Sequence, residues 1–532
     1  MSRFTFFTLV LLATVATGIV GFWHRPTLIA FVPLLALSLL GVWDLLQKRH
    51  AILRNYPILG HMRWIFEGIR PEIRQYLIES ERDEDPFSRE DRSLVYQRAK
   101  DAEDKRPFGT REDVYASGFA WLLHSAAPKP RGDGNFRVKI GGKTCAKPYD
   151  ASLYNISAMS FGALGANAIL ALNRGAKLGG FAHDTGEGGI SRYHLEPGGD
   201  LIWEIGSGYF GCRDAEGKFD RAEFRDQARL DQVKMIEVKL SQGAKPGHGG
   251  VLPAAKITPE IAECRHIPMG QDCISPAAHS AFSTPIELMH FLAQLREDSG
   301  GKPVGFKLCV GHRWEFMAIV KAMLETGIKP DFIVVDGKEG GTGAAPLEFV
   351  NHVGMPLADG LTFVRNALVG AGLRDEIRIG AGGKLVSAFD LVWAHALGAD
   401  WCNSARGFMF AVGCIQAQAC HTNRCPTGVT TQDPWRQRAL VVEDKSVRVA
   451  NFHRNTLKAL AEIVGAAGFE RPNELQPWHL MVRQKDGETV PAEEAYAFVE
   501  EGALLNGGCK DPAYNTAWKL ARADSFRAAS GP

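Results

Sequence analysis

Excess charge of either sign is missing from this chain. Its 61 lysines and arginines face 60 aspartates and glutamates, for a formal net charge of +1 over 532 residues. Nucleic-acid binding leaves a basic footprint, and its absence excludes that class of partner. Cysteine is scarce too, at ten residues, which excludes a secreted disulfide framework. No G-x-x-x-x-G-K-S/T run occurs, so a nucleoside-triphosphate P-loop is excluded. Internal repeats and low-complexity tracts are also lacking. What is present is a 45% hydrophobic, 23% charged composition, the profile of a globular protein with a large core.

The apolar residues are concentrated at the start. Phe4 to Trp23 is uncharged and nearly all apolar or small, about the length that crosses a hydrocarbon core. His24, Arg25 and Pro26 interrupt it, and Leu28 to Trp43 forms a second run. Trp23 and Trp43 sit at the segment ends, where interfacial aromatics are expected. Arg3 on one flank and Lys48, Arg49 and Arg54 on the other place both flanks in the cytoplasm by the positive-inside tendency. The expectation is a transmembrane hairpin over 1–50 with a cytoplasmic body. Two alternatives stand beside it: a cleaved signal peptide ending near Ala13–Ala16, and a second run, short and carrying Pro33, that only embeds in the membrane surface.

Residues 51–120 read as a charged helical linker, and 62–116 in particular as a solvated arm without chemistry. From about residue 150, short β-rich runs alternate with helical patterns. Candidate strands are "YNISAM" (154–159), "MIEVKLS" (235–241), "VGFKLC" (304–309), "FIVVDG" (332–337), "IRIGAG" (377–382) and "WCNSA" (401–405). Helical stretches such as "GANAILALNRGAKLG" and "HRWEFMAIVKAMLETG" lie between them. This alternation predicts an α/β fold, an eight-fold TIM-type barrel over 121–475, with a C-terminal extension over 476–532. A doubly wound sheet is the structural alternative, weakened because no G-x-G-x-x-G follows any of these candidate strands.

Barrel chemistry gathers on loops at the C-terminal strand ends. "KEGGTGAAP" (338–346) and "AGGKL" (381–385) occupy late positions, where glycine loops present backbone N–H groups to phosphate. Two such loops point to a phosphorylated cofactor. Ser157, Met159 and Ser160 end the first strand, and "SQGAKPGHGG" supplies Gln242, Lys245 and His248. Lys307 sits inside an apolar strand and needs an anionic partner, either in a structural ion pair or at the electron-rich end of a flavin. Three cysteines cluster in "CIQAQACHTNRCPTGV" (414–429). Their C-x5-C-x4-C spacing lacks the C-x2–4-C pairs of structural zinc, although His421 could complete a set. A disulfide would leave one thiol over. An iron–sulfur cluster on three thiolates is the simplest use, although the spacing differs from the bacterial ferredoxin run.

The motifs "AMSFGAL", "TGEGGI", "QGAKPGHGGVLPAAKI", "ISPAAH", "GGTGAAPL" and "GCIQAQACHTNRCPTGVTTQD" run in order from about 120 to 470. In them the chain resembles the synthase domain of glutamate synthase, in a membrane-tethered, FMN-binding glutamate synthase-like subfamily. The resemblance implies FMN and a three-iron, four-sulfur cluster on Cys414, Cys420 and Cys425. It implies hydride reduction of 2-iminoglutarate, formed from 2-oxoglutarate and ammonia. It places Gln242 and Lys307 near the flavin ring and Gly341, Gly343, Gly382 and Gly383 in its phosphate loops. Ser157, Met159, Ser160, Ala405 and Arg406 join that cofactor-binding group. Glu187, Lys245 and Arg265 surround an oxo-acid, and the two cations suit its carboxylates; the alternative for Glu187 is a loop carboxylate capping backbone amides.

The departures lie in "KPGHGGV", where the family has "KPGEGGQ": histidine stands at 248 for glutamate and valine at 251 for glutamine. No glutaminase and no nicotinamide module are expected here, so partners are implied. These are an external electron donor (ferredoxin or a reductase subunit), a separate ammonia-supplying subunit, and membrane lipid. Rival functions are an oxidoreductase of another amino acid or amine, and an electron-transfer subunit without substrate chemistry. A complete carboxylate clamp argues against the second.

Overall fold

A computed structural model describes residues 3–83 and 86–529. The chain divides into two compact units, Met1–Arg89 and Glu90–Pro532.

The first unit is helical. Helices α1 (Thr5–Val20) and α2 (Leu28–Leu46) pair antiparallel, with Gly18 against Phe31 and Gly41 against Phe7. Thr14 Oγ1 lies 2.8 Å from Ser38 Oγ and 3.0 Å from the Leu34 carbonyl. Small residues and hydroxyl bonds of this kind join helices where no hydrophobic drive is available. Among the described residues, Arg25–Leu46 is the one helical stretch long and apolar enough to cross a membrane; Thr5–Val20 is apolar but shorter. Helix α3 (His61–Ile73) follows.

The second unit opens within α4 (Arg89–Ala99), whose Arg92, Val95, Arg98 and Ala99 are buried. This corrects the reading of 62–116 as a solvated arm throughout. Asn455 donates to the Arg98 carbonyl at 2.9 Å, so α4 is tied to the barrel's outer helices. Residues 100–119 carry no helix.

Eight parallel strands close into a barrel: β1 (Tyr154–Ile156), β2 (His183–Asp184), β3 (Leu201–Ile205), β4 (Val233–Lys239), β5 (Val304–Leu308), β6 (Phe332–Asp336), β7 (Arg378–Gly382) and β8 (Trp401–Ser404). Each pairs with the next, and β8 returns to β1 with Cys402 beside Tyr154. The outer ring includes α5 (Ala166–Gly179), α6 (Arg221–Ala228), α7 (Pro285–Asp298), α8 (Arg313–Thr326), α9 (Leu357–Gly370), α10 (Ala388–Ala396) and α11 (Val442–Ala466). Several begin at strong caps: Thr284 and Glu287 form a capping box at α7, and Ser387 and Asp390 do the same at α10, each satisfying amides the helix leaves open. The expected barrel is therefore present, and the six proposed strands all lie in it.

The sequence reading missed β2, which is two residues long, and β3, "LIWEI". Behind β3 stands Gly206-Ser207-Gly208-Tyr209-Phe210-Gly211, which has the G-x-G-x-x-G spacing. It opens no helix, since α6 begins only at Arg221. The dinucleotide-binding context is therefore absent.

Candidate functional site

The barrel interior is charged. Asp184, Glu204, Glu237, Lys239 and Lys307 are all buried on β2 to β5. Lys307 Nζ is in contact with the Glu204 carboxylate and lies 3.2 Å from Glu237. Lys239 Nζ lies 2.6 Å from Glu187 and 3.7 Å from Glu204. Burial pushes the carboxyl of Glu237 well above its usual range, and neighbouring Asp184 adds to the effect. Asp184 is raised chiefly by burial, against the pull of Lys307. Burial opposes ionisation of Glu187 as well, but Lys239, Arg265 and Lys245 outweigh it and hold the carboxyl low. Glu187 and Glu237 thus titrate in opposite directions, because cations outweigh burial at the first while burial and the nearby Asp184 prevail at the second.

Above this layer, at the C-terminal strand ends, lies a cavity open to solvent. Met159 and Ser160 line it after β1, Glu187 after β2, Gln242 and Lys245 after β4, Gly341 and Gly343 after β6, and Ala405 and Arg406 after β8. Arg265 reaches it from the helix Pro259–Arg265 inside the long β4–α7 excursion. Its Nη2 donates to the Phe161 carbonyl at 3.0 Å and to Ser160 Oγ at 3.2 Å, and its carbon Cζ stands 5.1 Å from the Phe210 ring centroid. Its Nε is buried without a hydrogen-bond partner. Lys245 is buried, and burial draws its pKa down while the Glu187 charge raises it. Gly250 lets the Glu187 carboxylate sit close to the backbone, where a Cβ would displace it.

Other expected residues lie elsewhere. Ser157, Lys307, Gly382 and Gly383 do not line the cavity. Lys307 makes the ion pair described above; the cation that lines the cavity at this depth is Lys239. Gly382 ends β7, with its carbonyl accepting from Gly337 N at 2.7 Å. Of the two departures, Val251 lines the cavity, as the first residue of a short strand paired with Cys273–Ile274. His248 does not line it; its ring meets Phe349 edge-on at 5.3 Å, and its Nδ1 lies 2.9 Å from the Gly249 carbonyl.

The cysteine loop borders the cavity through Cys420 and His421. Cys414 and Cys425 are buried behind it. Tyr96 of α4 donates to the Cys414 carbonyl at 2.6 Å, and Gln432 Nε2 donates to the Gly162 and Leu164 carbonyls, bracing the far end. Burial raises the Cys414 thiol to about 11, while at Cys425 hydrogen bonds from Thr427 and Thr430 overcome burial and lower it. Among the described residues, Asp184, Glu204 and Glu237 have donor atoms within 4.8 Å of one another, whereas the three thiols form no such set.

Sequence reasoning passed over Lys239, Glu204 and Lys256. The first two carry the signal that exposed Lys307, a charge inside an apolar strand. Lys256 Nζ donates to the Ala163 carbonyl at 2.8 Å and faces the Cys420 carbonyl at 3.4 Å, with its pKa lowered to about 8 by burial. Nothing in its local sequence marks it.

Residues 139–470 match the conserved region in glutamate synthase. The chain belongs to the glutamate synthase family. It is 39% identical over 500 residues to the glutamate synthase large subunit-like protein YerD of Bacillus subtilis, covering 86% of this chain and 95% of that one. It is 35% identical over 313 residues to an archaeal-type glutamate synthase (NADPH) of Thermotoga neapolitana, covering 59% of this chain and 58% of that relative. Among solved structures, a flavocytochrome b2 variant with sulfite bound is 13% identical with a TM-score of 0.41, covering 89% of this chain and 95% of that one; a likeness at that level carries no functional argument. Membership of the family makes this family member an oxidoreductase enzyme.

Proposed function

We propose that this family member is a membrane-tethered FMN and iron–sulfur oxidoreductase of glutamate synthase type. Its reaction would reduce a 2-imino acid, with 2-oxoglutarate plus ammonia giving glutamate. The observation that carries the reading is the convergence of Lys245, Arg265 and Glu187 on one cavity at the strand ends. Two buried cations are a costly arrangement unless an anionic ligand arrives. Arg265, fixed at Nη2 and unpartnered at Nε, is set to donate to a carboxylate. Glu187, ionised between its cations, can accept from an iminium or ammonium N–H.

The residues present fit FMN. Gln242 offers an amide to a polar ring edge, and Arg406 approaches the Gly341 backbone where a phosphate would sit. When bound, FMN supplies hydride chemistry. Lys239, rather than Lys307, is the cation facing that position, and Lys307 fixes it through Glu204. Cys414, Cys420 and Cys425 would hold the cluster. The hairpin α1–α2 would anchor the protein with both ends in the cytoplasm. Electrons and ammonia would come from partner proteins.

Val251 favours a second reading, an acidic oxo or amino acid other than the 2-oxoglutarate–glutamate pair, since the cavity presents an alkyl wall where a glutamine amide is expected. The test is direct. Protein purified without oxygen should carry about one FMN and one cluster per chain, and acidic oxo and amino acids should change its flavin absorbance. Cys420→Ser should abolish the cluster signal and leave the flavin. One zinc with no acid-labile sulfide would refute the electron-carrier assignment. A full-length chain that stays soluble without detergent would refute the anchor.

A further inference from the structure

Met62, Ile65, Phe66, Ile69 and Ile73 recur along α3 at i, i+3, i+4, i+7 and i+11, the spacing of a single helix face. Met62, Ile65, Phe66 and Ile69 are 44% to 60% exposed. Arg63, which is ion-paired to Glu67 at 2.9 Å, Arg70, and Arg74 just past the end of α3 make a parallel row along one edge of that stripe.

The helix is held in place from another side. The buried carboxylate of Asp44, in the last turn of α2, accepts from Ile58 N at 2.8 Å and lies 2.9 Å from His61 Nε2. The Trp64 ring meets His50 edge-on at 5.4 Å. These contacts fix the direction of α3 and leave its apolar stripe open. Soluble surfaces seldom keep a contiguous apolar patch of this kind without a partner. An apolar stripe edged by arginines is the pattern of a helix lying in a membrane interface. The same chain has just left α2, whose Ile29, Val32, Leu39 and Trp43 are also exposed.

We infer that α3 lies along the membrane surface, its stripe among acyl chains and its arginine row on anionic headgroups. The inference rests on the membrane placement of α1 and α2 proposed above and adds a second, separable contact. It gives the linker a role, since a helix lying flat on the surface limits how far the following chain can range from the bilayer.

The test uses the full chain with its cofactors in vesicles of phosphatidylcholine and phosphatidylglycerol. Photoreactive p-benzoyl-phenylalanine is placed at Phe66, on the stripe, or at Glu67, its neighbour off the stripe. Lipid adducts should form from position 66 and be lost from position 67. Adducts from 66 that join two chains, or that loop back onto the same chain, would overturn the inference, as would lipid adducts from both positions or from neither. A chain carrying Ile65→Glu and Ile69→Glu should still float with the vesicles through α1 and α2 while the Arg74–Gln75 bond becomes open to trypsin. Unchanged resistance at Arg74 would count against the stripe. A wild-type chain that does not float at all refutes the placement of α1 and α2, which is a separate failure.

Discussion

In the first unit Leu12, Ile29 and Val32 face outward and Asp44 is fully buried; inside the barrel Asp184, Glu204, Glu237, Lys239 and Lys307 are buried together. The two units invert the usual distribution in different ways. Asp44 is satisfied locally by one backbone amide and one imidazole, so it works as a clasp between helices. The barrel charges satisfy one another in a chain from Glu187 through Lys239, Glu204 and Lys307 to Glu237. The difference teaches that a buried charge means different things by its company: a single one braces a fold, whereas an alternating row ending in a cavity sets the field a ligand meets.

Breaking the row at its centre should have the largest effect. Lys307→Met leaves Glu204 without the cation it touches, and stranding a buried charge costs about 3–5 kcal/mol. Denaturant unfolding of the detergent-solubilised chain should show a loss of that order. Adding Glu204→Gln should recover much of it, because the amide no longer needs the cation. A single variant as stable as the parent would mean that the row contributes no net stability. The matching change in the first unit, Asp44→Asn, should cost less, since the amide keeps one acceptor.

Removing a cation at the cavity end should spare the fold and damage turnover. Charge-assisted hydrogen bonds contribute about 1.5–3 kcal/mol each, so Arg265→Ala should lower kcat/KM for any acidic substrate roughly 10- to 100-fold. Unimpaired turnover of every active substrate would remove the carboxylate clamp and favour an electron-relay role.

The two acids at opposite ends of the row give a pH test of opposite sign. Glu187 is held low by Lys239 and other cations, so its contribution is present above the ordinary glutamate pKa and is lost as pH falls through its lower folded value. Glu187→Gln should therefore destabilise at neutral pH, with the gap closing in acid. Glu237 is raised by burial and by Asp184; its folded form holds a proton that the unfolded chain releases, so stability falls as pH rises above the ordinary value. Glu237→Gln should flatten that decline and stabilise near neutrality. Gaps of the same sign would show that the two carboxyls share one environment.

These residues also show where sequence was enough. Strand–helix alternation announced the barrel because apolar runs such as "FIVVDG" are long and bounded by turns, and the cysteine loop announced itself by composition. β2 escaped because two residues make no periodic signal; β3 was as legible as "VGFKLC", which also carries one charge, and was passed over. Lys307 was legible as a cation needing an anion, but whether that anion is a side chain or a ligand is decided by register: Glu204 lies beside Glu237 and Lys239 beside Lys307. Register between separate strands is not written in any one of them. For the same reason His248 and Val251, three residues apart, looked equivalent, and only the paired strand at Val251–Leu252 separates them.

The smallest expected effect sharpens that last contrast. Val251 lines the cavity and His248 does not, so restoring the expected side chains should matter at one position only. Val251→Gln adds one amide to a site already dominated by Lys245 and Arg265, and a single hydrogen bond contributes about 1 kcal/mol net, or roughly fivefold in kcat/KM. With 2-oxoglutarate and ammonia the change should be a gain, because the added amide can reach a substrate oxygen that an alkyl wall leaves unpaired. With a substrate chosen for the alkyl wall it should be a loss of similar size. His248→Glu should change neither, since its ring meets Phe349 away from the cavity. Steady-state comparison of the two variants across acidic oxo acids decides the point. If His248→Glu shifts substrate preference and Val251→Gln does not, specificity is set outside the cavity, and the excursion between β4 and α7 must be moving during turnover.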